Sequence, residues 1–454
     1  MTSLYTFAEV AQRVDGRVQG DASIRPAALS IDSRSIQPGD CFVALRAERD
    51  GHAFAAAAME QGATCFLVDH ALELPLPQLI VADTLQAMQA WGAARLAEHR
   101  PKAVFGVTGS VGKTSTKDLL AGATGGWKTP GNRNNTLGLP QALATYPGNS
   151  PAVVLEMGMS TPGEIHRLTE IAPPDFGIIT TIGTAHLENF AEGVLGIAKA
   201  KGELVAGLRP EGTWVYHEED AWCRWVAEQS FASHAKAVPV GKGGDFGMEQ
   251  IQSLGPKGER FLLRTPKGPL PLTIQLCGHH QVRNAALAAT IALLAGWDPE
   301  QVARGMAHVA PEQGRGRLSP LKGGGWLLDE TYNASPDSIL ACASALLELE
   351  GGEPVAVLGS MRELGPEAPE IHRATGFALK TMGLSQLWTY GDFAGDFAKG
   401  FGSGARAFPD FEPLRDDPAG LGALPSGSRI LVKGSRFWRA ERIVDWLLLN
   451  RGVD

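Results

Sequence analysis

The stretch Gly106-Val-Thr-Gly-Ser-Val-Gly-Lys-Thr-Ser115 constrains this chain more than any other. The apolar run Ala103 to Val107 reads as a buried strand, and it enters a loop that carries two glycines and a lysine. Gly109 and Gly112 let backbone N–H groups turn toward an anion, Lys113 adds a point charge, and Thr114 offers a hydroxyl to Mg²⁺. In the common phosphate loop, Gly-x4-Gly-Lys-[Ser/Thr], a glycine stands five residues before the second one; here that position is Val107, so the loop is a shortened variant. A plain glycine turn between strand and helix would leave Gly-Lys-Thr-Ser in that context without a purpose.

A chain of 454 residues has room for roughly two to four domains with ample cores. Its 44% hydrophobic and 20% charged residues are ordinary for a globular protein, and the formal charge of −8 supplies no basic field for nucleic acid. The cysteines at 41, 65, 223, 277 and 342 form no Cys-x-x-Cys pair, which argues for buried, reduced thiols over a zinc site or disulfide framework. The start, Met-Thr-Ser-Leu-Tyr-Thr-Phe-Ala-Glu, lacks a basic region followed by an apolar core, and no apolar run reaches membrane-spanning length. A cytoplasmic protein without membrane insertion is expected.

Three α/β units are expected: residues 1–100, 101–313 and 314–454. The first holds β-like runs at Cys41–Leu45 and Thr64–Val68 around an alanine-rich helix, with a second helix from Thr84 to His99 before Pro101. In the second, apolar runs at Val104–Val107, Ala152–Glu156 and Gly177–Thr181 alternate with helix-length segments, the pattern of a parallel sheet. Residues 241–276 have β-hairpin character, a helix runs from Val282 to Ala295, and Pro311 to Gly316 reads as a linker. The third unit has strands near Trp326–Leu328, Val355–Leu358, Leu387–Tyr390 and Ile430–Val432, then a terminal helix Trp438–Leu449.

Ligands of open parallel sheets collect beyond the carboxyl ends of the strands, so residues at those ends are the candidates for chemistry. Glu156 ends its strand and could reach a metal beside the phosphates; His186 follows the strand Gly177–Thr181 at a short distance. Asn134, Asn135 and Thr136 lie in a polar, glycine-bounded loop suited to substrate or to Asx turns. Lys201 sits in a helix-like segment where a solvated lysine face is the plainer expectation.

Five segments together resemble the Mur ligases across essentially the whole chain: Thr108–Ser115, Gly131–Pro140, Leu155–Ser160, Gly183–Glu188 and Asp329–Ser338. Near the N-terminus, Asp32-Ser-Arg34, Pro38–Leu45 and Asp50-Gly-His52 are similar to that family's UDP-binding domain. The resemblance implies an N-terminal UDP-binding domain, a central P-loop ATPase domain and a C-terminal Rossmann-like domain. It is nearest the branch that joins D-alanyl-D-alanine to a UDP-N-acetylmuramoyl-tripeptide. The branch adding a single amino acid usually carries Asp-Tyr-Ala-His-Thr-Pro, where this chain has Glu330-Thr-Tyr-Asn-Ala-Ser-Pro336. Folylpolyglutamate synthases share the loop and the ligation chemistry but lack the UDP-type domain.

The resemblance implies ATP and Mg²⁺ as cofactors, an acyl phosphate on the substrate carboxylate, and amine attack through a tetrahedral intermediate. It places Thr108, Gly109, Ser110, Val111, Gly112, Lys113, Thr114 and Ser115 on the phosphates. Thr114 and Glu156 fall on one Mg²⁺, and His186 with a carbamylated Lys201 near a second. A carbamate is the anionic oxygen ligand that hard cations prefer, whereas an ammonium would repel them; Lys199 is the competitor for that role. Asn284 matches an asparagine near the adenine, although Gln281 stands where the family usually has Asn. Arg317 and Asp329 match the pair by which the C-terminal domain reaches the nucleotide upon closure, with Tyr332 and Asn333 on the same loop. Ser33, Arg34, Asp50, Gly51 and His52 fall to the UDP substrate; Asn134, Asn135 and Thr136 fall to substrate, and Lys433 and Arg436 to the substrate or the incoming dipeptide carboxylate. A monomer is expected. The competing expectations are a single-amino-acid ligase and a non-catalytic sugar-nucleotide or ATP-binding switch. The guanine signal Asn-Lys-x-Asp of switch GTPases is missing from the sequence.

Overall fold

The computed structural model describes residues 5–453. Residues 1–4, on which part of the leaderless expectation rests, lie outside the described residues. No helix among the described residues is long and apolar enough to cross a membrane.

The central sheet has six parallel strands in the spatial order Lys236–Val240, Thr213–His217, Phe176–Ile179, Ala103–Thr108, Ala152–Glu156 and Trp127–Lys128. Its middle strands read as continuous apolar runs because both faces are covered. Ala103, Phe105, Val107, Ala152 and Val154 face one core with the helices Lys113–Thr124 and His279–Leu294. Val104, Val153 and Leu155 face the opposite core with the helices Glu164–Ile171 and Val194–Ala206. The alternation follows from the two-residue period of a strand.

The N-terminal sheet has five strands in the order Arg17–Gln19, Gln78–Ile80, Cys65–Val68, Cys41–Val43 and Leu29–Ser30, parallel except for the first pair. Its helix Thr84–Glu98 is capped by the Asp83 side chain and seats on the helix Gly138–Ala144, so closely that a Cβ on Gly92 would lie 2.8 Å from the Pro140 carbonyl oxygen. The C-terminal sheet has the order Arg317–Leu321, Gly325–Glu330, Arg429–Lys433, Pro354–Gly359, Gln386–Tyr390 and Ala405–Phe408. All its pairings are parallel save the first. The three-unit α/β architecture expected from the sequence is the one found.

Several elements differ from expectation. The hairpin character expected of residues 241–276 takes the form of three antiparallel strands over 247–274, with a bulge between Glu249 and Gln252. The stretch 311–316 is no free linker: Gly316 N–H donates to the Asp329 carbonyl and Gly314 N–H to the Asp329 carboxylate, which stitches it to the C-terminal sheet. The terminal helix begins at Glu441, after a 3₁₀ turn over Arg436–Trp438. All five cysteines are buried and free, as expected.

Candidate active site

The phosphate loop leaves the strand Ala103–Thr108 and enters the helix at Lys113. Its glycines are obligatory for space as well as conformation. Gly109 has φ +149° and Gly112 φ +87°; a Cβ on the first would lie 1.9 Å from Thr180 Oγ1, and on the second 2.5 Å from Asn284 Oδ1. Such positive φ values favour glycine. Ser110 N–H donates to the Thr181 carbonyl, and Gly183 N–H donates to Ser110 Oγ, so the loop is tied to the neighbouring strand end. Lys113 Nζ donates to the Gly109 carbonyl at 2.6 Å.

Glu156, 2% exposed at its strand end, accepts from Thr114 Oγ1 at 2.7 Å on one carboxylate oxygen and from Asn134 Nδ2 at 2.8 Å on the other. Burial pushes this carboxyl up, but Lys117 and Lys113, with the Thr114 and Asn134 hydrogen bonds, hold it below its ordinary value. Burial and the charge of Arg315 lower Lys113, against the opposing pull of Glu156. With Lys113 and Lys117 acting on Glu156 and Arg315 acting on Lys113, positive charge gathers at the loop, as phosphates require.

Lys201, 2% exposed on the helix Val194–Ala206, makes no hydrogen bond or ion pair among the described residues. Burial, with Lys113 adding to it, drives its ammonium well below its ordinary pKa. Lys199 instead reaches both carboxylate oxygens of Glu192 at 2.8 Å on the surface. His186 adopts φ +63° in the loop after the central strand, with Nδ1 2.5 Å from Oε2 of Glu363. Glu363, in the C-terminal unit, also has φ +63°, and the imidazole lowers its carboxyl. Left-handed conformations at two non-glycine residues in contact mark a strained junction between the units.

The phosphate loop, Glu156, His186 and Glu363 open onto a cleft of about 1030 Å³ between the carboxyl ends of the central and C-terminal sheets, whereas Lys201 is not among the residues that line it. Of the residues singled out in the sequence, Ser110 to Ser115, Asn134, Asn135, Glu156, His186, Asn284, Tyr332, Asn333, Lys433 and Arg436 line it. Thr108 and Gly109 lie behind the loop, and the Thr136 carbonyl accepts from Gln89. Asn284 Nδ2 donates to Gln281 Oε1 at 3.1 Å, so the glutamine that departs from the family pattern orients the asparagine. Lys433 Nζ lies 3.4 Å from Glu330 Oε2, and Arg436 pairs with Glu441 at 3.1 Å.

The structure does not bring Arg317 and Asp329 to the cleft. Arg317 is exposed at the start of its strand, and the Asp329 carboxylate is consumed by Gly314 N–H, Thr331 N–H and Thr331 Oγ1. Arg315, two residues earlier, lines the cleft instead, with its guanidinium 3.6 Å over the Tyr332 ring. Gly314-Arg-Gly-Arg317 offers two arginines, and only the path of the turn selects one. Arg362, Phe437 and Asp337 also line the cleft without having signalled in the sequence.

The substrate candidates of the N-terminal unit stand outside this cleft. Arg34 pairs with Asp32 at 2.8 Å beside Ser33. Asp50 caps the 3₁₀ turn Gly51–Phe54 and accepts from His52 Nδ1 at 2.6 Å. The imidazole is fixed from its other side, where Nε2 accepts from Asp69 N–H.

A shortened phosphate loop, a metal-suited carboxylate beside it and a facing α/β unit define a nucleotide-dependent enzyme of the P-loop class. Residues 107–292 match the Mur ligase middle domain, and residues 27–106 match the model described as Mur ligase family, catalytic domain. The chain belongs to the Mur ligase family. It is 33% identical to the UDP-N-acetylmuramoyl-tripeptide–D-alanyl-D-alanine ligase of Escherichia coli (strain K12), over 98% of each chain. Among solved structures it is similar to MurF from Acinetobacter baumannii, with a TM-score of 0.88, 31% identity, and 98% and 99% of the two chains covered. MurF from Thermotoga maritima in complex with ADP gives a TM-score of 0.79 at 26% identity, covering 92% of this chain and 96% of the other.

Proposed function

We propose that this protein is an ATP-dependent ligase that joins D-alanyl-D-alanine to a UDP-N-acetylmuramoyl-tripeptide, giving the pentapeptide precursor of the cell wall. The observation that carries the reading is the Thr114–Glu156–Asn134 arrangement at the phosphate loop, facing Arg315 and Tyr332 across the cleft. Relatives of that printed name, aligned over nearly the whole chain, support the choice of substrates. ATP-dependent ligation draws further support from the ADP complex of a similar structure. The reading places the enzyme in the cytoplasm, acting as a monomer. Its working units are residues 1–100, 101–313 and 314–454.

Lys113 and the loop amides would hold the β- and γ-phosphates of ATP, and Asn284 would meet the adenine. Arg315 would add charge from the C-terminal side. The oxygen donors of Thr114 and Glu156 fit one Mg²⁺, which would neutralise charge on the transferring phosphoryl group. His186 and Lys201 would serve a second. A buried amine lowered in pKa and lacking partners gives up its proton more readily than an ordinary lysine, and the neutral amine is the form that reacts with CO₂, which supports a carbamate on Lys201. The γ-phosphoryl group would pass from ATP to the tripeptide carboxylate with departure of ADP; the dipeptide amine, having given up a proton, would then attack the acyl carbon, and loss of phosphate and of a further proton from the tetrahedral intermediate would leave the amide. Ser33, Arg34, Asp50, Gly51 and His52 would hold the UDP end; Asn135, Thr136, Lys433 and Arg436 would hold the peptide ends. Tyr332 and Asn333 would bracket the base and ribose.

Mixing ATP, Mg²⁺, the UDP-tripeptide and D-alanyl-D-alanine tests the reading. Phosphate should appear only with the dipeptide. Release with a single free amino acid instead would move the protein to the other branch of the family, and release without any acceptor would sink the ligase reading.

A further inference from the structure

Lys117 stands one helical turn beyond Thr114 and is fully buried, yet no step of the proposed reaction uses it. A buried ammonium is retained at a cost unless it is paired and hydrogen-bonded. Its Nζ donates to the Gly131 carbonyl at 3.0 Å and lies 3.5 Å from Glu156 Oε2 and 3.8 Å from Asp118 Oδ1. Gly131 opens the loop that carries Asn134, the donor to the other oxygen of Glu156. One ammonium therefore fixes the carboxylate directly and also holds the loop that fixes it from the opposite side.

The pairing continues away from the cleft. Asp118, 7% exposed, accepts from Lys128 Nζ at 2.7 Å, and Lys128 lies 3.6 Å from Glu312. Glu312 belongs to the turn before the C-terminal sheet, where its carbonyl accepts from Arg315 N–H and its carboxylate lies 4.0 Å from the Arg315 guanidinium. Charges alternate along the whole path: Glu156, Lys117, Asp118, Lys128, Glu312, Arg315. The path starts at the carboxylate beside Thr114 and ends on the arginine that faces the phosphate loop from the other unit.

We infer that Lys117 is a positioning residue for Glu156, and that it heads an ion chain through Asp118, Lys128 and Glu312 that links this carboxylate to the placement of Arg315. The inference rests on the nucleotide-binding reading above. Lys117 sets the orientation of the Glu156 oxygens, and the outer pairs hold the turn so that Arg315 projects into the cleft. Lys128 and Glu312 are each about two-fifths exposed, so their share is smaller than that of Lys117.

The test is calorimetric binding of ADP with and without Mg²⁺ to the full chain, which needs neither acceptor substrate nor turnover. Lys117→Met should weaken the Mg²⁺-dependent part of ADP binding by about 10- to 100-fold, the range for residues that orient a metal ligand. Lys117→Arg should recover part of it. Lys128→Met and Glu312→Gln should each cost about two- to fivefold, as exposed ion pairs do, and their double variant no more than the larger single effect. Mg²⁺ dependence in Lys117→Met equal to that of the wild type would overturn the positioning role. Should that variant fail to fold, the two surface variants carry the test; additive losses, or none, would overturn the chain. A wild-type protein that binds no ADP with Mg²⁺ would instead overturn the nucleotide reading itself.

Discussion

Replacing Lys201 with methionine should make the protein more stable and inactive at once. Lys201 is 2% exposed on a helix whose Ile197, Ala198, Ala200 and Leu204 belong to the apolar core, and no acceptor among the described residues meets its nitrogen. Burying a polar group without a hydrogen bond costs about 1–3 kcal/mol, and methionine fills nearly the same volume without that cost. For a unit of this size each kcal/mol moves Tm by about 2–4 °C, so Lys201→Met should melt roughly 2–12 °C higher in CO₂-free buffer. The pH dependence fixes the sign. The folded-state pKa lies below the ordinary 10.5, so between the two values the unfolded chain binds more protons and wild-type stability rises with pH. The advantage of the variant is therefore full below the folded pKa and shrinks as pH approaches 10.5. Calorimetric melting across pH, paired with phosphate release, measures both effects. A variant that melts lower than wild type would refute the burial argument, and one with normal turnover would remove Lys201 from the site.

Arg315→Ala should lower kcat/KM for ATP by about 10- to 150-fold, the worth of a charged hydrogen bond of about 1.5–3 kcal/mol, while Arg317→Ala stays within about threefold. Steady-state kinetics on the two variants decides between them; the reverse order would return the role to Arg317. Glu98 ties Tyr5 and the helix Phe7–Val14 to the helix Thr84–Glu98 by accepting from Arg13 at 2.7 Å and Tyr5 at 2.7 Å, and these hold its carboxyl down at about 2. Its side chain is 41% exposed, so Glu98→Gln should cost only about 0.5–1 kcal/mol. Because the folded pKa is depressed, that difference should be complete above pH 4.5 and vanish as pH falls from 4.5 to about 2, in urea unfolding at stepped pH.

Much of the fold was legible because periodicity is a local property. The runs at Ala103–Val107 and Ala152–Glu156 announce strands covered on both faces, and the glycine loop between strand and helix announces an anion site. The strands Thr213–His217 and Lys236–Val240 were not anticipated: Trp214 and Tyr216 are bulky and the second begins on exposed Lys236, so neither run looks like a buried core strand until the sheet supplies its neighbours. The antiparallel edge strand Arg317–Leu321 escaped notice for a similar reason, since it carries Ser319 and Pro320 and gains its identity by pairing with Gly325–Glu330.

By itself the sequence determined which chemistries are available: a glycine loop with a lysine at Gly109–Lys113, a hydroxyl at Thr114, a carboxylate at Glu156, and amides at Asn134 and Asn284. These follow from residue type and from position at strand ends, both of which are written along the chain. Tertiary structure decided which of two near-equivalent neighbours faces the cleft. Arg315 enters it and Arg317 does not because the turn is pinned by Asp329; Lys201 is buried and Lys199 is paired at the surface because they lie on different faces of one helix. It also decided what surrounds Glu156, since Lys117, Asn134 and Thr114 come from separate segments and meet only when the sheet assembles. Orientation and electrostatic company depend on distances between segments remote in sequence, and no local pattern encodes them.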